Sequence, residues 1–161
     1  MSKVKTRQLL TYIVKKSYEN ASVTSLMKLS YLIDLVSIKE NGKQISCFNY
    51  QRYLYGPFDE KIYSFLLELT KENVILSKEN YSDGGHEFIT YVFNEGLKGD
   101  YSFNKLNKSE LKIIDQVLSE LKGYGAKTLS VLTYETAPMK RIGATLGGNE
   151  KLGARLNLDC S

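Results

Sequence analysis

The turn at Asp83-Gly84-Gly85 constrains the fold of this chain more than any other feature of its sequence. The run "NVILSKEN" before it and the run "EFITYVFN" after it are rich in β-branched and aromatic residues. Aspartate and glycine readily adopt the positive φ angles that tight turns between antiparallel strands require. The sequence therefore predicts a β-hairpin near the middle of the chain.

Other segments carry the apolar spacing of amphipathic helices. They are residues 5–18, a helix from Thr24 or Ser25 to just before Asn41-Gly42, a helix after Pro57, a helix after Asn107, and residues 127–135. Asn107 and Glu110 have the spacing of a capping box, and Gly42 suits the left-handed residue that ends a helix. Residues 45–55 alternate in character and are expected to form a strand. The predicted fold is α+β and mainly helical, with about five helices, one strand and the hairpin.

The length of 161 residues, with 42% hydrophobic and 25% charged residues, suits one globular domain. We expect that domain to span residues 1–145, and residues 146–161 to form a loosely structured tail. The opening residues "MSKVKTRQLL" lack the apolar run of a signal peptide, and no stretch approaches the roughly 18 apolar residues of a membrane span. A cytoplasmic protein without membrane contact is therefore expected. Cys47 and Cys160 lie far apart, which disfavours a zinc site and a disulfide framework.

The sequence contains no set of residues typical of a catalytic centre. His86 is the single histidine, and it lies in the predicted hairpin turn. Neither of the phosphate-binding patterns GxxxxGK[ST] and GxGxxG occurs, and the glycines of "GATLGGNEKLG" follow no strong strand. No catalytic residue, metal ligand or cofactor is therefore predicted, and the protein is not expected to be an enzyme.

A helix followed by the predicted hairpin is the order of elements in a winged helix, which places a helix in the major groove of DNA. The candidate recognition helix, "FDEKIYSFLLELTKEN", carries four acidic residues against two lysines. Contacts to phosphate provide most of the affinity for DNA, so this helix is poorly suited to enter a groove. The fold is expected to be winged-helix-like in part, while nucleic acid is a disfavoured partner.

The stretch "YQRYLYGPFDEKIY", residues 50–63, joins the predicted strand to a Gly-Pro step and a predicted helix start. Tyr53 lies on the opposite side of the strand from the more apolar set, which is Phe48, Tyr50, Arg52 and Leu54. The apolar set is expected to meet the helices. Tyr53 is therefore the better candidate to reach solvent or a partner.

Three segments have an order and spacing that can be compared with a known family. The first is "LMKLSYLIDL", residues 26–35, with a lysine-leucine step and a tyrosine three residues after the lysine. The second is the aromatic strand that enters Tyr55-Gly56-Pro57, followed by a helix that contains Tyr63. The third is "YGAKTLSVLTYETAPM", residues 124–139. Together these segments resemble the Panacea domain of SocA-like antitoxins, which are also described as phage-associated proteins.

The resemblance covers roughly residues 5–145, and it implies a binding module of the antitoxin type. Lys28, Leu29 and Tyr31 take the places of the lysine-leucine step and tyrosine of the family. The third segment is similar to a closing pattern of Tyr-Gly, a leucine helix, Thr-His and Pro-Trp. Tyr134 and Met139 depart from that pattern, because they stand where the family has histidine and tryptophan.

The resemblance implies that the protein neutralises a cognate toxin by direct contact or delivers the toxin to a protease. The implied partners are therefore a toxin protein and a further protease. Family members occur in toxin–antitoxin pairs and in phage or prophage settings, and no enzymatic activity follows from membership. The alternatives are a winged-helix-like transcriptional regulator and a protein that binds a small ligand or nucleotide.

The corner at Tyr55-Gly56-Pro57 has two interpretations. In a structural one, glycine permits close backbone approach, proline fixes a helix entry, and the tyrosines pack at the edge of the core. In a functional one, the tyrosines and Arg52 form an anchor patch, because these residue types are enriched among binding hot spots. The predicted partner-binding residues are Arg52, Tyr53, Tyr50, Tyr55, Lys28 and Tyr31. The predicted structural residues are Gly56, Pro57, Tyr63, Tyr134 and Pro138.

Overall fold

A computed structural model of the chain describes residues 2–17, 21–97 and 101–159. Within those residues, six helices and two small antiparallel sheets form an α+β fold that is mainly helical, as predicted. The elements in chain order are α1 (Lys3–Lys16), β1 (Ala21–Ser22), α2 (Val23–Asn41), β2 (Gln51–Tyr53), β3 (Gly56–Phe58), α3 (Lys61–Lys71), β4 (Ile75–Tyr81), β5 (Glu87–Phe93), α4 (Lys108–Glu120), α5 (Ala126–Tyr134) and α6 (Ala137–Arg141).

The helix α2 is central to the fold, because it contacts α1, α3, α4, α5 and the strands β1 and β3. It begins after Ser22, whose hydroxyl accepts a hydrogen bond from Ser25 N at 3.2 Å while Ser25 Oγ accepts one from Ser22 N at 3.0 Å. The helix therefore starts slightly before the predicted cap at Thr24 or Ser25. It ends at Gly42, which has the predicted left-handed conformation with φ of 75°.

The predicted hairpin is present as β4 and β5, which are joined by residues 82–86. Its register runs from Ile75 opposite Phe93 to Tyr81 opposite Glu87. Strand β5 also pairs with β1, so the order of the sheet is β1-β5-β4. Strand β1 was not predicted, because two residues are too short to show an alternating pattern. The winged-helix likeness stays a prediction.

The stretch that follows α2 differs from the strand predicted over residues 45–55. Residues 45–50 form no regular strand, β2 has 3 residues, and a turn at Leu54 and Tyr55 leads into β3. Gly56 has φ of 126°, and Pro57 lies opposite Arg52 in the β2–β3 pair instead of starting a helix. The helix α3 begins only at Lys61. The corner is therefore a second hairpin and not the predicted junction of strand and helix.

The helix α5 ends at Tyr134, before Pro138, as the sequence predicts. Pro138 then lies in the first turn of the short helix α6, which was not predicted and which suits the fixed φ of proline. The helix α4 has the predicted capping box, in which Glu110 N donates to Asn107 Oδ1 at 2.8 Å and Asn107 N donates to Glu110 Oε1 at 3.0 Å. None of the described helices has the length and apolar character needed to cross a membrane.

The chain beyond α6 is bound to β2 along its backbone. Arg52 N donates to Ala154 O at 2.8 Å, Gly153 N donates to Arg52 O at 2.7 Å, and Leu156 N donates to Tyr50 O at 2.9 Å. The side chain of Leu156 is buried. A loosely structured tail was expected over residues 146–161, whereas residues 153–156 are hydrogen-bonded to the segment of β2. The domain boundary near residue 145 stays a prediction. Cys160 lies outside the described residues.

Candidate protein-binding site

The side chain of Arg52 points into the protein and is 0% exposed. Its guanidinium donates to Tyr53 O at 2.6 Å, to Thr145 O at 3.0 Å and to Gly148 O at 2.9 Å. The same group lies over the ring of Tyr134, with 5.2 Å from Cζ to the ring centroid. Arg52 therefore connects three parts of the chain from the inside. Arg52 is therefore buried, as its place in the apolar set of the alternation predicts, and it is not exposed on the anchor patch of the functional interpretation.

The helix α5 holds the turn between β2 and β3 through side-chain hydroxyls. The hydroxyl of Tyr134 donates to Tyr53 O at 3.3 Å and to Leu54 O at 3.1 Å. Ser130 Oγ donates to Tyr55 O at 3.3 Å. The carbonyl groups of the turn are thereby bound to the protein, and the turn is fixed against α5.

Gly56 lies where α2, the β2–β3 hairpin and α5 meet. A Cβ atom at this position would lie 3.1 Å from Thr133 Oγ1 and 3.8 Å from Lys28 Cε. Its φ of 126° is one that residues with a side chain rarely adopt. Both facts disfavour a residue with a side chain at this position, and the structural role of Gly56 stays a prediction. The three segments that carry the family resemblance therefore converge at one place in the fold.

Tyr31 and Tyr50 lie in the interior beneath this junction, with their rings in an edge-to-face contact at 5.2 Å. The hydroxyl of Tyr31 lies 2.7 Å from Thr136 Oγ1, and burial raises the pKa of Tyr31 to about 12. Tyr50 donates to Asp34 Oδ2 at 2.7 Å. The structure therefore places these two predicted partner-binding residues in the core.

Asp34 is fully buried and holds the segment that leads into β2. Besides Tyr50, its carboxylate accepts hydrogen bonds from Ile45 N at 2.9 Å, Ser46 N at 3.1 Å and Ser46 Oγ at 2.6 Å. Burial raises the pKa of Asp34 to about 6, because the loss of water outweighs the opposing effect of these hydrogen bonds.

Lys28 is 3% exposed and lies against Gly56 through its Cε atom. Burial lowers the pKa of its ammonium group to about 8. Among the described residues no carboxylate lies within ion-pair distance of Lys28, and no hydrogen bond to its nitrogen is present. Within that part of the chain, Lys28 is thus a buried cation without a counter-ion.

An exposed strip of large side chains covers the outside of the hairpin. We call this strip the aromatic rim, and its members are Tyr53, Leu54, Tyr55, Phe58 and Tyr63. Tyr53 is 41% exposed, Tyr55 71% and Tyr63 56%. The rings of Tyr53 and Phe58 are 5.6 Å apart, and those of Phe58 and Tyr63 are 5.8 Å apart. The rings of Tyr53, Phe58 and Tyr63 therefore contact one another in sequence, with Phe58 partly buried between two exposed tyrosines.

The predicted site residues thus divide into two groups. Tyr53 and Tyr55 lie on the surface, as the alternation predicts for Tyr53, whereas Tyr50, Arg52, Lys28 and Tyr31 are buried. Among the predicted structural residues, Gly56, Pro57, Tyr134 and Pro138 are buried, but Tyr63 belongs to the exposed rim. The assignment of any of these residues to partner contact stays a prediction.

Sequence reasoning missed the hydroxyl-bearing residues of α5 and the segment that follows α6. Ser130 and Thr133 of α5 contact the hairpin, and Thr136, which precedes α6, contacts Tyr31 of α2; polar residues at these positions gave no signal of this role. Leu54 was expected on the inner side, but the turn that begins there exposes it. His86 is exposed in the turn of the other hairpin, and the described residues contain no group of three side chains suited to hold a metal.

Comparison with known proteins gives one match. A family model described as "Antitoxin SocA-like, Panacea domain" matches residues 26–138, which include most of α2, the β2–β3 hairpin and α5. No curated protein and no solved structure matches the chain.

Proposed function

This chain belongs to the SocA-like antitoxin family with a Panacea domain, and from that premise we propose that it is a non-enzymatic antitoxin that binds a cognate toxin protein. The observation that carries the proposal is the family match over residues 26–138. The convergence of the matched segments beside the aromatic rim supports it. Neutralisation would follow from direct contact or from delivery of the toxin to a protease.

The aromatic rim is suited to bind a protein. Tyrosine side chains combine a large apolar area with a polar hydroxyl, and they are enriched among residues that dominate binding energy. The turn that presents Tyr53 and Tyr55 is fixed by the hydrogen bonds from Tyr134 and Ser130. A surface that is already ordered loses little conformational freedom on binding, which favours affinity.

The alternative of a DNA-binding regulator is not favoured. The exposed side chains near α3 include Glu60, Glu68 and Glu72, which repel phosphate. Arg7 forms ion pairs with Glu68 and Glu72, so this cation is already engaged. Sequence-selective binding of duplex DNA at sub-micromolar concentration in a gel-shift assay would reverse this preference, because non-specific binding falls at about 10⁻⁴ to 10⁻⁶ M.

A growth-rescue assay tests the proposal. The genes that neighbour this one in its native host are expressed singly to find a product that arrests growth, and this protein is then co-expressed with that product. We expect growth to be restored by the wild-type protein, and rescue to be lost in Tyr53→Ser and Tyr55→Ser at unchanged levels of folded protein. Tyr81→Ser is the matched control, because Tyr81 is 66% exposed on the other hairpin.

Two results would contradict the proposal. If no neighbouring product arrests growth in a way that the wild-type protein relieves, the antitoxin role fails. If Tyr55→Ser and Tyr81→Ser rescue equally well, the antitoxin role stands but the aromatic rim is not its binding surface.

A further inference from the structure

The starting observation is the outer face of α3, which carries two large apolar side chains. Tyr63 and Leu67 are each 56% exposed there. The opposite side of the helix is buried in the core through Ile62, Phe65, Leu66 and Leu69. Because those residues already hold α3 in place, the packing of the helix does not require the exposed pair.

Tyr63 and Leu67 continue a line of side chains that begins on the β2–β3 hairpin. The ring of Tyr53 lies 5.6 Å from that of Phe58, and the ring of Phe58 lies 5.8 Å from that of Tyr63. Leu67 follows Tyr63 by four positions, so these two side chains are neighbours on the helix surface. We call this line the apolar row, and its members are Tyr53, Phe58, Tyr63 and Leu67. Single exposed apolar side chains are normal, but a contiguous set of them is typical of a site of interaction.

The spacing of the apolar row fits a helix better than an extended strand. Its rings repeat at 5.6 and 5.8 Å, close to the rise of about 5.4 Å per turn of an α-helix. Side chains on one face of a strand repeat at about 6.8 Å, which is two residues of about 3.4 Å each. A helix with an apolar residue on the same face in every turn can therefore place one of them against each member of the row.

Exposed charges at the two ends of α3 give a partner helix its direction. Glu60 immediately precedes the helix, and its side chain makes no capping hydrogen bond. Lys71 lies one turn beyond Leu67 and is exposed as well. Among the described residues, neither Glu60 nor Lys71 forms an ion pair. A basic group of a partner near Glu60 and an acidic group near Lys71 would therefore each meet an accessible opposite charge.

This placement of charges favours a partner helix that runs antiparallel to α3. In that orientation the acidic group lies in the first turn of the partner helix and the basic group in its last turn, where the helix dipole stabilises each of them. A parallel helix would need the reverse placement, which its own dipole disfavours.

We propose that the partner covers the apolar row with an amphipathic helix antiparallel to α3, whose acidic first turn lies near Lys71 and whose basic last turn lies near Glu60. This inference rests on the proposed function, because it names the part of the toxin that the antitoxin binds. The row shares Tyr53, Phe58 and Tyr63 with the aromatic rim, so the same helix would contact the rim and α3.

The test uses synthetic peptides and the full chain, and it does not require the toxin. The probe is Ac-EEALAQALQALAQKK-NH₂, which places its leucines on one face of a helix between an acidic and a basic end. The second peptide, Ac-EELAQAALLQAAQKK-NH₂, has the same composition but its leucines are spread around the helix. Each is titrated into isotopically labelled protein, and the backbone amide signals are followed by NMR. We expect saturable shifts centred on α3 with the first peptide, and an affinity at least about tenfold higher than that of the second, as the loss of leucine contacts gives.

A leucine variant locates the apolar contact. Leu67→Gln should weaken the binding of the first peptide about tenfold. Leu76→Gln is the matched control, because Leu76 is 42% exposed on β4, and it should leave the affinity unchanged. Both variants should melt near the wild-type temperature, since the changed side chains are exposed.

A charge variant tests the direction of the helix. Glu60→Gln combined with Lys71→Gln should weaken the first peptide about fivefold, as the loss of two exposed ion pairs gives. Glu79→Gln combined with Lys78→Gln on β4 keeps the same net charge and should leave the affinity unchanged. A nitroxide on the amino terminus of the peptide should broaden the amide signal of Lys71 more than that of Glu60.

Several outcomes would overturn the inference. They are the absence of saturable shifts, equal affinity for the two peptides, an affinity that neither the leucine nor the charge variant changes, and stronger broadening at Glu60 than at Lys71. Tighter binding of the extended peptide Ac-Thr-Val-Thr-Val-Thr-Val-NH₂ at the same signals would show that the row takes a strand. Shifts of the α3 signals as the concentration of the protein alone is raised would show that a second copy covers the row. Because no toxin is used, these outcomes are separate from a failure of the growth-rescue assay.

Discussion

The two hairpins of this protein are held in place by different means. The β4–β5 hairpin has seven-residue strands in a continuous ladder, and nearly all of its side chains are at least partly exposed. The β2–β3 hairpin has 3 residues in each strand, and three pairs join them. Its stability comes from outside the hairpin, through the buried Arg52, the hydroxyls of α5 and the backbone of residues 153–156.

The dependence of the short hairpin on its surroundings affects the proposed binding surface. A two-stranded hairpin is at best marginally stable alone, so the short hairpin depends on its surroundings far more than the long one. The contacts that order the short hairpin also fix the aromatic rim, because Tyr53, Leu54 and Tyr55 are part of its turn. The proposed binding surface is therefore only as rigid as the buried contacts behind it.

The largest expected effect comes from Arg52→Ala compared with Lys78→Ala. Arg52→Ala leaves the carbonyl group of Gly148 without its donor, removes one of two donors from the carbonyl groups of Tyr53 and Thr145, and opens a cavity. We expect a loss of about 4 kcal/mol in the free energy of unfolding. Lys78 is exposed on β4, so Lys78→Ala should change stability by less than about 0.5 kcal/mol. Urea denaturation of both variants measures the difference. Similar losses would show that the two hairpins are held alike.

The segment that leads into the short hairpin gives a pH-dependent test. The pKa of Asp34 is about 6 in the folded protein and 3.8 as its ordinary value, so the folded state holds the proton more tightly. The contribution of Asp34 to stability is therefore greatest below pH 4 and is lost as the pH rises through 6, by about 3 kcal/mol in total.

Asp34→Asn isolates this contribution, because asparagine remains neutral. The difference in unfolding free energy between wild type and Asp34→Asn, measured by urea denaturation from pH 4 to pH 7, should move steadily against the wild type as the pH rises. A difference that stays constant over that range would contradict the raised pKa.

Glycine substitutions compare the turns themselves. Gly56→Ala requires an unfavourable φ and a contact at 3.1 Å with Thr133 Oγ1, so we expect a loss of about 2 kcal/mol. Gly85 also has a positive φ, of 81°, but a Cβ atom there would meet no other atom within 4 Å, and Gly85→Ala should cost only about 1 kcal/mol. Thermal melts of both variants decide whether close packing adds to backbone strain. Equal melting temperatures would show that packing at Gly56 adds nothing.

The smallest effect is expected for exposed tyrosines. Tyr55→Ser and Tyr81→Ser remove side chains that are 71% and 66% exposed, on the short and the long hairpin respectively. Each should change the free energy of unfolding by less than about 0.5 kcal/mol. A clear loss of stability in Tyr55→Ser alone, measured by urea denaturation, would show that the rim supports the fold of the short hairpin.

The elements that could be predicted from the sequence are those specified by residues close together in the chain. Asp83-Gly84-Gly85 specifies the long hairpin because the turn residues themselves adopt the required conformation. The short hairpin turns at Leu54 and Tyr55, and large side chains of this kind are not typical of a tight turn. For this reason the sequence predicted one strand through this region and not two. The alternation correctly placed Phe48, Tyr50 and Arg52 on the inner side. Their side chains alternate with more exposed ones even though residues 45–50 form no regular strand.

The candidate site was predictable only in part for the same reason. The resemblance selected α2, the Tyr-Gly-Pro segment and α5, and the structure brings these together at Gly56. The alternation placed Arg52 on the inner side, but its acceptors could not be predicted, because Thr145 and Gly148 lie far along the chain. Distant contacts of this kind leave no periodic pattern near the residue.

The bonds from Arg52 to Thr145 and Gly148 join residues 93 and 96 positions apart. During synthesis, the β4–β5 hairpin can form soon after its own residues emerge from the ribosome. The β2–β3 hairpin gains its hydrogen bonds to residues 153–156 only after those residues have been made. A protease that cut once between residues 142 and 152 would leave the family-matched residues 26–138 in one piece. The cut would weaken the contacts of residues 145–156 with the short hairpin, so that its turn would depend on Tyr134 and Ser130. The lifetime of the proposed binding surface in a cell would then depend on a segment that takes no part in binding.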